Sequence, residues 1–350
     1  MHGGPLLRRS LALAFVLAGA ALLAFGIVHL TGAATARSSA LDPPVHLFGT
    51  KAPLGRLYSP LSPFNRLIPA GAALDPSSDE QVAGLAGAVR RGGAVIAVGR
   101  WTVPAYLAGA HTKRYRVTLT ADWSPAHALT GVPIPAAARP DPAGDGHLAI
   151  IDRRQGCEYD FWKARKSDSS WSAEWGNSVR LQGAGVFPRG FSARGSGFAL
   201  LAGVIWPDEL ARGRIDHALI FGYPDTAAGG FVAPATESDG QSTDPAAIPE
   251  GARLQLDPAF DVSTLPAWER PIARALQRYG MFLADNGGGN FQLYAVNPRS
   301  YPHDPYAGLL PGGNYVQLHD IPFERFRVLA HGPLTRNASA LVPSGCGKFR

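Results

Sequence analysis

Glycine and proline set the grain of this chain. With 41 glycines, 30 prolines and only 17% charged residues in 350, most windows are broken before a long solvated helix could form. Two stretches carry a convincing helical stripe. Residues 80–90 follow Asp75-Pro76-Ser77-Ser78 and place Val82, Leu85 and Val89 on one face. Residues 266–279 do the same with Trp268, Ile272, Leu276 and Tyr279, with Ser263 or Thr264 as the cap. Both end at glycine, Gly92-Gly93 and Gly280. A further helical turn is expected at 207–210. Elsewhere short apolar or alternating runs lie between turn residues, at 94–98, 114–119, 148–152, 157–164, 171–181, 215–221, 281–284 and 291–296. The expected class is mainly β: a β-sandwich of jelly-roll or concanavalin-like type with a few short helices.

Residues 11–31 form an apolar run behind Leu7-Arg8-Arg9, and Ala34-Thr35-Ala36 offers a small-residue exit. This pattern suits a secretory signal, residues 1–36, cleaved before Arg37; the run is also long enough to serve as an uncleaved membrane anchor. Either reading puts the remainder outside the cytoplasm. Residues 37–60, rich in proline, glycine and serine, read as a linker that becomes ordered near Phe48 or Tyr58. Residues 61–350, without internal repeat or second linker, read as a single β-rich extracytoplasmic domain. In an oxidising compartment Cys157 and Cys346 would pair and tie the C-terminal tail to the central sheet, two unpaired thiols being the alternative.

The net charge of +6 comes from scattered arginines, with no basic block, so nucleic acid is not an expected partner. The Pro343-Ser344-Gly345-Cys346-Gly347-Lys348 stretch lacks the first glycine of a phosphate-binding loop, and Gly195-Ser196-Gly197 lacks the flanking spacing of a nucleophile elbow. Zinc-protease, paired Cys-x-x-Cys and calcium-hand spacings do not occur. No cofactor and no metal ion is expected.

Several constellations could carry chemistry. Alternation over 157–163 sets Glu158, Asp160 and Trp162 on one face, opposite Cys157, Tyr159, Phe161 and Lys163. In a groove that face would offer two carboxylates beside an indole; its plainer reading is a solvent-facing strand. Trp162, Trp171 and Trp175 cluster in one meander, which suits sugar stacking and a core equally well. His217 alternates with Ile215 and Leu219, and His147 with Ala149 and Ile151, so each ring must find a buried partner or line a cavity. Asp285-Asn286 ends a strand and enters the glycine-rich loop 286–290, where the backbone can approach a ligand closely. The oxygen-rich stretch 237–242, which contains Asp239, would either bind calcium, reach into a cleft or lie as a polar surface loop.

The stretches 146–152, 158–164, 196–199, 215–219, 250–254 and 279–287 resemble a group of exported bacterial proteins frequent in actinobacteria. The resemblance covers residues 145–290; it implies a bacterial, extracytoplasmic origin and brings no catalytic residue with it.

The resulting expectation is a secreted or membrane-anchored protein acting on polysaccharide or cell-wall glycan. Its chemistry would be glycoside cleavage by a carboxylate pair drawn from Glu158, Asp160 and Asp285, with His217 orienting or transferring a proton. His147, Trp162, Trp171, Trp175, Asn286 and Asp239 would contact the substrate. The rival expectation is a non-catalytic surface module that binds glycan or another protein. A deep cleft holding carboxylates and a histidine favours the first, and a shallow aromatic strip favours the second.

Overall fold

In the computed structural model, which describes residues 56–350, short strands sort into stacked sheets because nearly every central strand has two apolar faces to bury. The signal or anchor segment and all but the end of the expected linker lie outside the described residues. The largest sheet runs in the order Tyr315–Gln317, Ala94–Ala97, Phe291–Tyr294, Leu219–Gly222, Met281–Asp285, Arg253–Leu256, Phe326–Val328. Two of its neighbour pairs are parallel, Ala94–Ala97 with Phe291–Tyr294 and Leu219–Gly222 with Met281–Asp285; the others are antiparallel. One face is covered by the helices Ser78–Gly92 and Arg270–Arg278, through Val82, Leu85, Ala86, Ile272, Ala273 and Leu276.

A four-stranded sheet, in the order Ala105–Leu107, Leu148–Asp152, Cys157–Trp162, Trp175–Arg180, packs against a five-stranded one. The latter runs Lys348–Phe349, Ala128–Pro133, Arg114–Leu119, Ser170–Ala173, Arg165–Ser167. Tyr106, Ile150, Tyr159, Phe161 and Trp175 on one side meet Val117, Leu129, Val132 and Trp171 on the other. The opposite face of the four-stranded sheet looks toward the large sheet, and the chain 185–206 runs between them, contributing Phe187, Phe198, Leu200, Leu201 and Val204. A two-stranded ribbon, Thr226–Phe231 with Ile248–Glu250, lies outside these sheets.

The chain is therefore mainly β, with helices confined to a few short elements. The parallel pairs and the helix-covered face are features that an all-antiparallel jelly-roll or concanavalin-like sandwich lacks. Three boundaries also differ from expectation for identifiable reasons. The second helix begins at Arg270 rather than near 266, because Pro271 has no N–H to give and is accommodated only in a first turn. The run 171–181 breaks at Glu174, so that Ser170–Ala173 and Trp175–Arg180 join different sheets. The run 215–221 forms a strand only from Leu219, which leaves His217 ahead of the sheet.

Cys157 and Cys346 form the expected disulfide, with Cα atoms 5.8 Å apart. It fastens the terminal strand Lys348–Phe349 beside Ala128–Pro133, where Thr130 Oγ1 donates to the Lys348 carbonyl at 3.0 Å. A bond of this kind accords with an oxidising compartment. Replacing both cysteines with alanine is expected to cost about 2–5 kcal/mol in a chemical denaturation experiment, with the C-terminal amides losing hydrogen-exchange protection first.

Candidate functional site

The strand Met281–Asp285 ends at a groove. Two hollows, of about 600 and 370 Å³, meet along Asp145, His147, Asp285 and Asn286. The larger is walled by Trp101, Tyr294, Tyr315 and the loop 287–290; the smaller by Trp123, Trp162, Arg194, Glu237 and Asp239. Glycine is required at two points of this wall. A side chain on Gly287 would begin 2.9 Å from the Tyr223 nitrogen, and one on Gly195 would begin 2.6 Å from Asp239 Oδ1. The loop can thus lie flat against the sheet, and Asp239 can reach the groove.

Most polar groups on the floor are held by one another, Arg194 Nε being left without a hydrogen-bond partner. Arg194, only 3% exposed, sets its guanidinium 4.8 Å from the centre of the Tyr294 ring and donates to Asp285 Oδ2 at 3.5 Å and to the Leu200 carbonyl at 3.3 Å. The Trp162 indole donates to Asp145 Oδ1 at 3.2 Å, and Lys163 Nζ lies 4.2 Å from the Trp162 ring. Asp239 is oriented from both sides: Asn286 N–H donates to its side chain at 3.3 Å, and its own N–H donates to Glu250 Oε2 at 3.1 Å. His147 Nε2 donates to the Ala193 carbonyl at 3.1 Å, which leaves Nδ1 as the acceptor nitrogen.

Burial controls the charges. Asp285 keeps a quarter of its side-chain surface, facing the groove, but is otherwise enclosed by protein. Lost hydration raises its carboxyl to about 7; Arg194 pulls in the opposite direction without overcoming it, and Asp239 and Asp145 add to the rise. Burial lowers the His147 imidazole to about 4, against the pull of Asp145, so the ring is neutral at neutral pH. Desolvation also raises Glu237 and, far more, the fully enclosed Glu250 behind Asp239. Near neutrality the junction therefore presents one carboxyl at its titration midpoint beside a neutral imidazole.

Of the residues singled out in the sequence, the groove brings together Asp285, Asn286, Asp239, His147 and Trp162. The stretch 237–242 reaches into the cleft; among the described residues no cluster of His, Cys, Asp and Glu is placed to hold a metal ion. Glu158 and Asp160 do share a face with Trp162, but both are fully buried away from the groove lining. Asp160 accepts from Leu200 N–H at 2.9 Å, while Glu158 accepts from Leu201 N–H at 3.1 Å and from the Tyr58 hydroxyl at 2.6 Å. They serve the backbone of the segment 185–206, which carries Arg194, and are positioning groups rather than part of the groove. His217 lies at a separate recess of about 50 Å³, bonded to Glu209 at 3.2 Å and to the Ala218 carbonyl at 2.9 Å. Burial favours its neutral ring, but Glu209 outweighs that and raises it. Trp171 and Trp175 fill the core between the four- and five-stranded sheets.

Sequence reading missed Asp145, Arg194, Tyr294, Trp101 and Trp123. Asp145 had a usable signal, since it opens the Asp145-Gly146-His147 turn directly before a strand. Trp101 had a weaker one, three residues beyond a buried run. Arg194 had none, because nothing local says that an arginine among small residues will be enclosed. No protein-family model, curated protein or solved structure matches this chain.

A carboxyl raised from about 3.9 in the unfolded chain to about 7 in the folded one binds its proton more tightly when folded. Its stabilising contribution is complete below pH 4 and is lost as pH rises to about 7. Asp285→Asn should remove this contribution, so the melting temperature of the variant, measured from pH 4 to pH 8, should fall less steeply with pH than that of the wild type. Parallel profiles would contradict the raised Asp285.

Proposed function

We propose that the groove binds a glycan chain and hydrolyses a glycosidic bond at the junction of its two hollows, outside the cytoplasm of the bacterium to which the sequence resemblance points. The observation that carries this reading is Asp285, a carboxyl held protonated to about pH 7 at the floor of an aromatic-walled groove, with Asp145 at the same junction. Cleavage by two carboxyl groups needs one that keeps its proton and one that does not. Asp285 gives its proton to the departing glycosidic oxygen, and Asp145, steadied by the Trp162 indole, takes a proton from the water that attacks the anomeric carbon. Exchange with solvent resets both. Neutral His147 and Asn286 offer hydrogen-bonding groups to sugar hydroxyls, and Arg194 holds Asp285 in place from below.

The alternative of a surface module that only binds glycan is supported by the same aromatic wall. The raised Asp285 with a second carboxyl group, Asp145, at the same junction favours catalysis over it. The discriminating experiment incubates the full chain with a panel of soluble polysaccharides and follows reducing-end release. Release from at least one polymer is expected, falling as pH rises through about 7 because the acid then loses its proton. Asp285→Asn should reduce the rate roughly 10²- to 10⁴-fold while leaving the fold intact. A panel without release, or an Asp285→Asn variant as active as the wild type, would defeat the proposal. Glu158→Gln and Asp160→Asn, by contrast, should alter melting more than turnover.

A further inference from the structure

Resting on the reading of the groove as a glycan site, we infer that it holds an internal stretch of an uncharged glycan chain between two fixed aromatic platforms, Trp101 at one end and Trp123 at the other. Both indoles are exposed, 41% and 54%, although large apolar side chains are ordinarily turned inward. Each is nevertheless held rigidly.

Trp101 sits at φ 56°, a left-handed conformation that bulky residues avoid. The conformation is imposed from outside: its N–H donates at 3.1 Å to Asp141, a buried carboxylate that also accepts from Ala143 N–H and from the Asn297 amide, both at 2.9 Å. The indole edge lies so close over Gly144 that a side chain there would begin 3.2 Å from it. An exposed ring with a strained backbone and three dedicated bonds behind it is a feature that folding alone does not call for.

Trp123 is supported by different means. Its ring stacks on Phe191 at 6.1 Å with an interplanar angle of 20°, and meets Trp175 at 5.6 Å in a tilted contact of 48°. Trp175 in turn donates its indole N–H to the Phe191 carbonyl at 2.7 Å and is stacked by Phe349 from the C-terminal strand. The buried Trp175, expected from sequence to touch substrate, thus acts through the exposed ring above it.

The two platforms belong to different hollows, and Asp145 and Asp285 lie where the hollows join. A ligand stacked on both rings must therefore cross the junction, which a single sugar at the end of a chain would not do. Charge selects the kind of chain. Besides Asp285, three acidic side chains, Asp145, Glu237 and Asp239, line the smaller hollow with a single cation, Arg194, which is already paired with Asp285; Lys163, over the Trp162 ring, is paired with Glu174 at 3.0 Å. A polymer bearing a carboxylate on each sugar would meet like charge along this path, whereas a neutral one would not. Flat indole faces take the C–H faces of neutral sugars, and rigid platforms lose little entropy when they do so.

Titration calorimetry on the full chain carrying Asp285→Asn tests this, with soluble xylan, mannan, arabinogalactan and mixed-linkage glucan as neutral probes and polygalacturonate as the anionic one. At least one neutral polymer should bind, with affinity for its oligosaccharides still rising beyond the disaccharide. Trp101→Ala and Trp123→Ala should each weaken polymer binding roughly tenfold, while Trp101→Phe and Trp123→Phe keep most of it and melting is unchanged. The inference is overturned if no neutral polymer binds, if polygalacturonate binds most tightly, if affinity stops rising at the disaccharide, or if only one tryptophan matters. Binding that needs both rings, without any bond cleavage by the wild type, would remove the hydrolytic reading and leave this one. Cleavage that releases single sugars and ignores one of the rings would do the reverse.

Discussion

The guanidinium of Arg194 is the charge on which the groove depends. An isolated ion at this depth would cost several kcal/mol, so its partners are structural requirements rather than additions. Asp285 receives one of its N–H groups, the Leu200 carbonyl another, and the Tyr294 ring lies beneath the plane. On the far side Glu158 and Asp160 also feel its positive field, which opposes the desolvation that otherwise drives both toward the neutral form. One cation thus links the wall of the four-stranded sheet to the end of the strand Met281–Asp285.

That linkage explains why a nearly buried loop can exist between two sheets. The segment 185–206 has few ladder partners, and enclosed backbone N–H groups without acceptors are expensive. Glu158 and Asp160 accept two of them, and the Tyr58 hydroxyl closes the arrangement from the start of the described chain. The loop is held firmly enough to present Arg194 at one fixed place, and the raised Asp285 follows from that enclosure. Structure and chemistry therefore share a cause: burial sets the loop, and burial sets the proton affinity of the acid that the loop touches.

Much of the fold was legible in the residues. The strands at 94–98, 148–152 and 281–284 announce themselves as apolar runs, and alternation over 157–162 assigns each side chain to its observed face. What alternation could not say is what lay opposite that face. Glu158, Asp160 and Trp162 point the same way, yet Trp162 reaches the groove while the carboxylates meet the loop 198–201, a partner some 40 residues away along the chain. His217 misled for a related reason: the strand begins two residues later, so the ring turns to Glu209. The strand-end position of Asp285 and the glycines after it were readable, because close approach at Gly287 is a local requirement. Arg194 and Trp123 were not, since enclosure of one and support of the other are made by distant chain.

The chemistry of the groove rests on the titration of one carboxyl. Site-specific ¹³C NMR of the Asp285 side-chain carboxyl in the full chain, followed from pH 3 to pH 9, should give a midpoint near 7, with the Arg194 pairing intact on both sides of it. A midpoint near 4, the value of an ordinary aspartate, would mean that Arg194 rather than burial governs the site and that the groove has no acid to give.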